Sequence, residues 1–107
     1  MTLKLHPLAE NDLKIALSYY YEISPKLEKR FLSDIDKCFD TILTSPNLYK
    51  YETETSQKVV MLKFPYIVLY EQFEDIIMVL AVFHTKQDPH KLVKRDVNTQ
   101  ENSPSSS

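Results

Sequence analysis

No glycine and no tryptophan occur anywhere in these 107 residues. Phosphate-cradling loops bring backbone close to the ligand where a Cβ would clash, so Walker-type and dinucleotide-fingerprint sites are excluded. Turns must then be built from Pro, Asn, Asp and Ser, which favours longer loops over the two-residue Asn-Gly hairpin. The single cysteine, Cys38, leaves no internal disulfide and no thiolate zinc cluster, and fits a reducing cytosol. No apolar run approaches the roughly 20 residues of a membrane helix, and no signal-type segment follows Met1, so a cytoplasmic protein with no membrane partner is expected. Excess positive charge is lacking as well. A formal net charge of −2 and a pI near 5.9 argue against a broad nucleic-acid footprint, which shows as clustered Lys and Arg.

What is present reads as one domain over residues 1–97 and a disordered polar tail over 98–107, Asn-Thr-Gln-Glu-Asn-Ser-Pro-Ser-Ser-Ser. Residues 2–6 alternate apolar and polar as a half-buried strand would. Pro7 suits the first turn of a helix, where its missing N–H has no partner to lose. Ala9, Leu13, Ala16, Leu17 and Tyr20 fall on one face of that helix and form its core side. A second stripe, Leu8, Ile15 and Tyr19, lies well round the helix, either partly covered by loops or facing a partner.

Ser24-Pro25 ends this helix and starts the next, Ser24 as N-cap, and so short a link makes an antiparallel hairpin. The second helix carries Leu27, Phe31, Ile35, Cys38 and Ile42 in one stripe, widened by Leu32, Phe39 and Leu43. Cys38 within that stripe is a small core residue rather than a nucleophile. The intervening Glu28, Lys29, Arg30, Asp34, Asp36, Lys37 and Asp40 read as a solvated face. Thr44-Ser45-Pro46 stops the helix, and Leu48, Tyr49 and Tyr51 of the polar connection 47–56 are expected to pack back on the core. Three strands follow: from near Gln57 through Leu62, over 66–71, and over 76–84, with Pro65 at a bend and a charged turn at Glu74-Asp75.

The expected fold class is therefore α+β: an N-terminal strand and an antiparallel two-helix hairpin packed on an antiparallel sheet of three C-terminal strands. Period two puts Ile76, Met78, Leu80, Val82 and His84 on one face of the last strand and Ile77, Val79, Ala81 and Phe83 on the other, so both faces are apolar and the strand is central. Two tightly joined helices cover only one of those faces. The C-terminal segment, a second copy or a partner must cover the other. Asp88-Pro89 repeats the cap-then-proline signal, and a turn or two of helix to about Arg95 would carry Lys91, Lys94 and Arg95.

For chemistry, His6, His84 and His90 lack metal-ligand spacing, and neither metal nor cofactor is expected. No nucleophile elbow is present. One set passes the chemical screen: Lys58, Lys63, Tyr66, Tyr70, His84 and Lys86 lie on or beside the predicted sheet, and such groups cleave RNA without metal when base, acid and phosphorane-stabilising cations converge. A tyrosine pair on a strand and a histidine at a strand end are equally ordinary structural features.

Most of the chain, from about residue 3 to 92, resembles the RelE/ParE superfamily, the toxin halves of bacterial type II toxin–antitoxin modules, long described as plasmid stabilisation proteins. The matching residues are Ala9, Asp12 and Leu13 with Tyr20-Tyr21, then Phe31-Leu32 and Ile35, Pro46, Phe64-Pro65-Tyr66 with Tyr70, and Val79-Leu80-Ala81-Val82 followed by His84 and Asp88-Pro89. The resemblance implies a cognate antitoxin that wraps over the toxin, in a homodimer or a toxin–antitoxin hetero-oligomer. Leu8, Ile15, Tyr19, Tyr66 and Tyr70 are the residues expected to meet it. RelE-like members cleave ribosome-bound mRNA, and on that branch Lys58, Lys63, Tyr70, His84 and Lys86 would be the catalytic candidates. ParE-like members bind and poison DNA gyrase without being nucleases. The Phe-Pro-Tyr hairpin, the His84-to-Pro89 ending and the acidic pI look more like this side. Here Lys86, Gln87, Lys91, Lys94 and Arg95 would face the target. Two family-typical arginines are replaced, by Lys58 and Gln87, which lose the bidentate fork and, at Gln87, the charge. A weakly toxic or non-toxic homologue that still binds antitoxin is the third expectation.

Overall fold

A computed structural model describes residues 1–86. The expected residues 87–107, with Gln87, Lys91, Lys94, Arg95 and the tail, lie outside the described residues. The chain runs β1 (Thr2–Leu5), α1 (Pro7–Ile23), α2 (Pro25–Thr44), β2 (Ser56–Val60), β3 (Tyr66–Phe73) and β4 (Ile76–His84). The sheet order is β1-β4-β3-β2. β3 runs antiparallel to both β2 and β4, and β1 joins the far edge of β4 in parallel. The α+β architecture expected from the pattern is the one found, with β4 central.

Local signals set the helix ends. Pro7 opens α1, and the His6 ring accepts the Leu8 N–H at 3.1 Å. Ser24 Oγ accepts the Lys26 N–H at 3.2 Å while Pro25 takes the first helical position, so one residue closes α1 and opens α2. Both helices lie on one face of the sheet. Ala9, Ala16 and Tyr20 of α1 and Phe31, Ile35, Cys38 and Ile42 of α2 share a buried core with Val59, Val68, Tyr70, Ile77, Val79 and Val82.

Of the connection residues expected to pack back on the core only Tyr49 does so, Leu48 and Tyr51 being exposed. Three further expectations need correcting. β4 does not keep period two: Leu69 pairs with Ala81 but Tyr70 with Val79, so Leu80 is an extra residue, a β-bulge. Beyond it the alternation reverses. Val82 and His84 turn to the helix face with Ile77 and Val79, while Leu80, Ala81 and Phe83 join Met78 and Leu69 on the outer face. Second, the β3–β4 link is a two-residue turn despite the missing glycine. Glu74 supplies the left-handed residue at φ 58°, at a cost of about 1 kcal/mol for a non-glycine. Third, Asp34 is not solvated. It is buried, and Oδ2 accepts the Lys63 N–H at 3.1 Å, tying α2 to the β2–β3 connection.

Candidate functional site

α1 packs its small residues inward and leaves a stripe outside. Leu8, Ile15 and Tyr19 are exposed rather than covered by loops, the first of the two readings of this stripe, and Ile23 extends it by one more turn; Ile15, Tyr19 and Ile23 keep 62%, 59% and 58% of their surface in water. Side chains four apart on a helix stack along one ridge, so Ile15, Tyr19 and Ile23 form a continuous apolar edge. The same four-residue spacing carries Ile23, the groove residue that the stripe of Leu8, Ile15 and Tyr19 leaves out.

Beside this ridge the sheet contributes the end of the β3–β4 ladder. Tyr66 pairs with His84, their rings 5.3 Å apart in edge-to-face contact. The bulge at Leu80 aims His84 here. Without it, His84 would stand on the outer face. Asp12 Oδ2 accepts the Val82 N–H at 3.0 Å, beyond the reach of the short β1, and so fixes α1 against this end of β4. Ladder bonding continues one step further, from the Thr85 N–H to the Pro65 carbonyl at 2.9 Å, and the Lys86 N–H closes on His84 Nδ1 at 3.1 Å.

Between ridge and ladder runs an open groove of about 500 Å3, lined by Ile15, Ala16, Tyr19, Tyr20, Ile23, Pro65, Tyr66 and His84. Its floor is aromatic and continuous with the core. Tyr20 stacks on Phe31 at 5.2 Å and meets Phe64 edge-on at 5.0 Å, while Tyr19 leans on Tyr20 at 5.1 Å. The Tyr66 and Tyr20 rings meet edge-on at 6.2 Å. Burial, then the Tyr20 neighbour, pushes the Tyr66 phenol up to about 12, and burial raises Tyr20 as well. Both therefore stay neutral hydrogen-bonding groups at physiological pH.

Tyr70 does not join this groove. It is fully buried, and its hydroxyl donates to the Pro46 carbonyl at 2.7 Å. Gln57 Nε2 donates to the same oxygen at 2.8 Å and to the Tyr49 carbonyl at 3.1 Å. Gln72 Nε2 bridges Gln57 Oε1 and Asn47 Oδ1, each at 2.8 Å. This network clamps the 46–49 connection onto the sheet. Burial, then Tyr49, pushes the Tyr70 phenol up to about 12. Its expected role at a partner surface or in RNA cleavage is thus corrected by its burial.

The other ribonuclease candidates are not gathered either. Lys58 pairs with Leu69, hence on the face opposite Tyr70, and its ammonium is held by Glu52 at 2.9 Å. Lys63 lies in the β2–β3 connection beside α2, lining a different cavity with Arg30 and Lys37. His84 and Lys86 stay together at the end of β4. Burial, then Asp34, pushes the Cys38 thiol up to about 12, so it carries no nucleophilic thiolate. Among the described residues no cluster of three or more His, Cys, Asp or Glu is placed to hold a metal ion.

A two-helix hairpin packed on a four-stranded sheet is the α+β architecture of a RelE/ParE-like domain. Residues 3–89 match the family described as the ParE toxin of the type II toxin–antitoxin system, parDE, and the chain belongs to that family. A solved structure described as the chromosomal ParDE TA system from P. aeruginosa shares the fold, with a TM-score of 0.70 at 18% identity over 78% of this chain and 95% of that one. No curated protein sequence matches the chain. No helix among the described residues is long and apolar enough to cross a membrane.

Proposed function

We propose that this ParE-family toxin acts in the cytoplasm by binding a target protein, and that a cognate antitoxin silences it by laying an apolar segment into the groove between α1 and the Tyr66–His84 ladder end. The observation that carries this reading is the unbroken exposed edge of Ile15, Tyr19 and Ile23 beside a preformed aromatic groove. Large apolar side chains in such a row are costly to leave in water and characteristic of helix-in-groove recognition. Leu8 continues the contact towards the N-terminal end of α1. DNA gyrase is the target that the ParE side of the resemblance implies. Lys86, the described member of the expected target-facing set, is exposed at the end of the same hairpin.

Induced expression in bacteria tests the reading. Growth arrest with filamentation and a DNA-damage response, relieved by co-expressing the product of the adjacent small reading frame, is the expected outcome. Rapid translation arrest with cut messenger would replace gyrase by the ribosome. No growth defect at all would leave a homologue that binds antitoxin without toxicity, in line with Lys58 and Gln87 standing where arginines are typical.

A further inference from the structure

Cations of α2 are gathered on one side of the helix. Arg30, Ser33, Asp34 and Lys37 follow one another at spacings of three, one and three, so they share a face. Across from them the β2–β3 connection brings Lys63 and Phe64, and the two segments wall a cavity of about 400 Å3. Among the described residues it shares no lining side chain with the α1 groove. Two ties hold its walls together: the Lys63 N–H donates to Asp34 Oδ2 at 3.1 Å, and the Phe64 ring meets Phe31 of α2 edge-on at 5.1 Å. The cavity is therefore preformed.

Its charge is unbalanced. Three cations, Arg30, Lys37 and Lys63, line it with one carboxylate, Asp34, an excess of two positive charges in a chain whose formal net charge is −2. Among the described residues the one ion pair is Lys58 with Glu52, so no carboxylate lies within 4.0 Å of any of the three. These cations are exposed while Asp34 is only 5% exposed, which puts positive charge at the rim and a carboxylate at the floor. Asp34 Oδ2 holds the Lys63 N–H, but among the described residues Oδ1 accepts no hydrogen bond. An ionised carboxylate can only accept, and a buried acceptor left open is costly. A ligand that fits must bring negative charge for the rim and an N–H donor for the floor.

We infer that this cavity binds a mononucleotide with a guanine base, its phosphate at Arg30, Lys37 and Lys63, its base on the apolar wall of Leu27 and Phe64, and an N–H of the base given to Asp34 Oδ1. The cavity volume falls in the range of small-ligand sites. An arginine fork beside lysine point charges is a phosphate-binding set, and these side chains reach the phosphate without any glycine loop. The choice of base follows from Asp34. Guanine offers two adjacent N–H donors on one edge, whereas adenine sets a lone pair beside its single amino group, and that lone pair is repelled by a carboxylate. An acidic peptide would match the rim but has no ring to lay on Phe64. This site is independent of the antitoxin and target readings and stands if either fails.

NMR and titration calorimetry on the full chain test it. Guanosine monophosphate should shift the Asp34 and Lys63 amides and leave those of Ile15 and Tyr19 in place, and it should bind about tenfold tighter than adenosine monophosphate, the scale of one hydrogen bond to a charged group. Asp34→Asn keeps an oxygen for the Lys63 N–H and turns the open acceptor into a donor, so it should erase that preference in a protein that still folds. Lys37→Ala with Lys63→Ala, which leaves the Lys63 N–H in place, should weaken binding about tenfold or more. Lys26→Ala with Lys29→Ala, on the same helix but outside the cavity, should change it by less than about twofold. No binding at millimolar guanosine monophosphate, equal affinity for both nucleotides and inorganic phosphate, or tighter binding of a hexaglutamate peptide or of single-stranded RNA lacking guanine would each overturn the proposal.

Discussion

Tyr66 and Tyr70 stand four residues apart on the same face of β3, and the molecule treats them differently. Tyr70 is sealed inside, its hydroxyl spent on the Pro46 carbonyl together with Gln57. Tyr66 is only partly covered and faces an open groove with His84 and Tyr19. One end of the strand is closed by a connection folding back over it. The other is only half covered, by Tyr20 of α1 and Phe31 of α2, and is edged with exposed apolar groups. The contrast teaches that a tyrosine pair at this spacing marks a surface at one member only, and that the choice is made by segments distant in sequence.

The comparison can be broken at either end. Tyr70→Ala should cost most, about 3–5 kcal/mol in denaturant unfolding, because it opens a cavity in the core, while Tyr70→Phe should cost about 1–2 kcal/mol through the lost hydrogen bond alone. Antitoxin affinity of the Phe variant should match wild type. A Tyr70→Phe protein that is fully stable but fails to bind would reverse the assignment of the two ends.

Asp34→Ala should destabilise by about 1–2 kcal/mol, since it orphans the Lys63 N–H, again without touching the groove; chemical denaturation read against affinity separates the two effects.

Ionisation sharpens the comparison differently, because both ends are alike there. Both phenols are pushed up to about 12, each first by burial. A folded value raised above the unfolded value of 10 leaves stability intact below pH 10 and removes it as the pH climbs from 10 towards 12. Absorbance at high pH should therefore show Tyr66 and Tyr70, and with them Tyr20, ionising late, together with unfolding; Tyr66→Phe should remove one of the three, and simple titration of every tyrosine near its ordinary value would contradict the packing described.

The smallest effect is expected at the turn. Glu74→Gly should leave stability unchanged or raise it by up to about 1 kcal/mol by relieving the left-handed residue; a clear loss would show that the Glu74 side chain is itself needed.

The parts of the fold that were legible in the sequence rest on short-range signals. Pro7 and the Ser24-Pro25 pair mark helix starts through an N–H that is absent or capped within two residues. The stripe of Leu8, Ile15 and Tyr19 follows from helix periodicity, and three groove residues follow from it and from Tyr66. What escaped depends on partners far along the chain. Gln57 looks like any polar strand residue until Pro46 and Tyr49 close over it. Asp34 sits in a run of solvated charges, and only Lys63, 29 residues later, identifies it. The bulge at Leu80 lies inside an uninterrupted apolar run with no glycine to betray it, yet it decides that His84 belongs to the groove.

The central claim is that the α1 groove is where the antitoxin binds. Titration calorimetry with the purified product of the adjacent reading frame, on wild type and on Ile15→Asp with Tyr19→Ala, tests it most directly. Both substituted residues are exposed, so the fold should survive with its melting temperature nearly unchanged. The account predicts an affinity loss of about 100-fold or more, the scale of losing anchors at the centre of an interface. Wild-type affinity in that folded variant would contradict it.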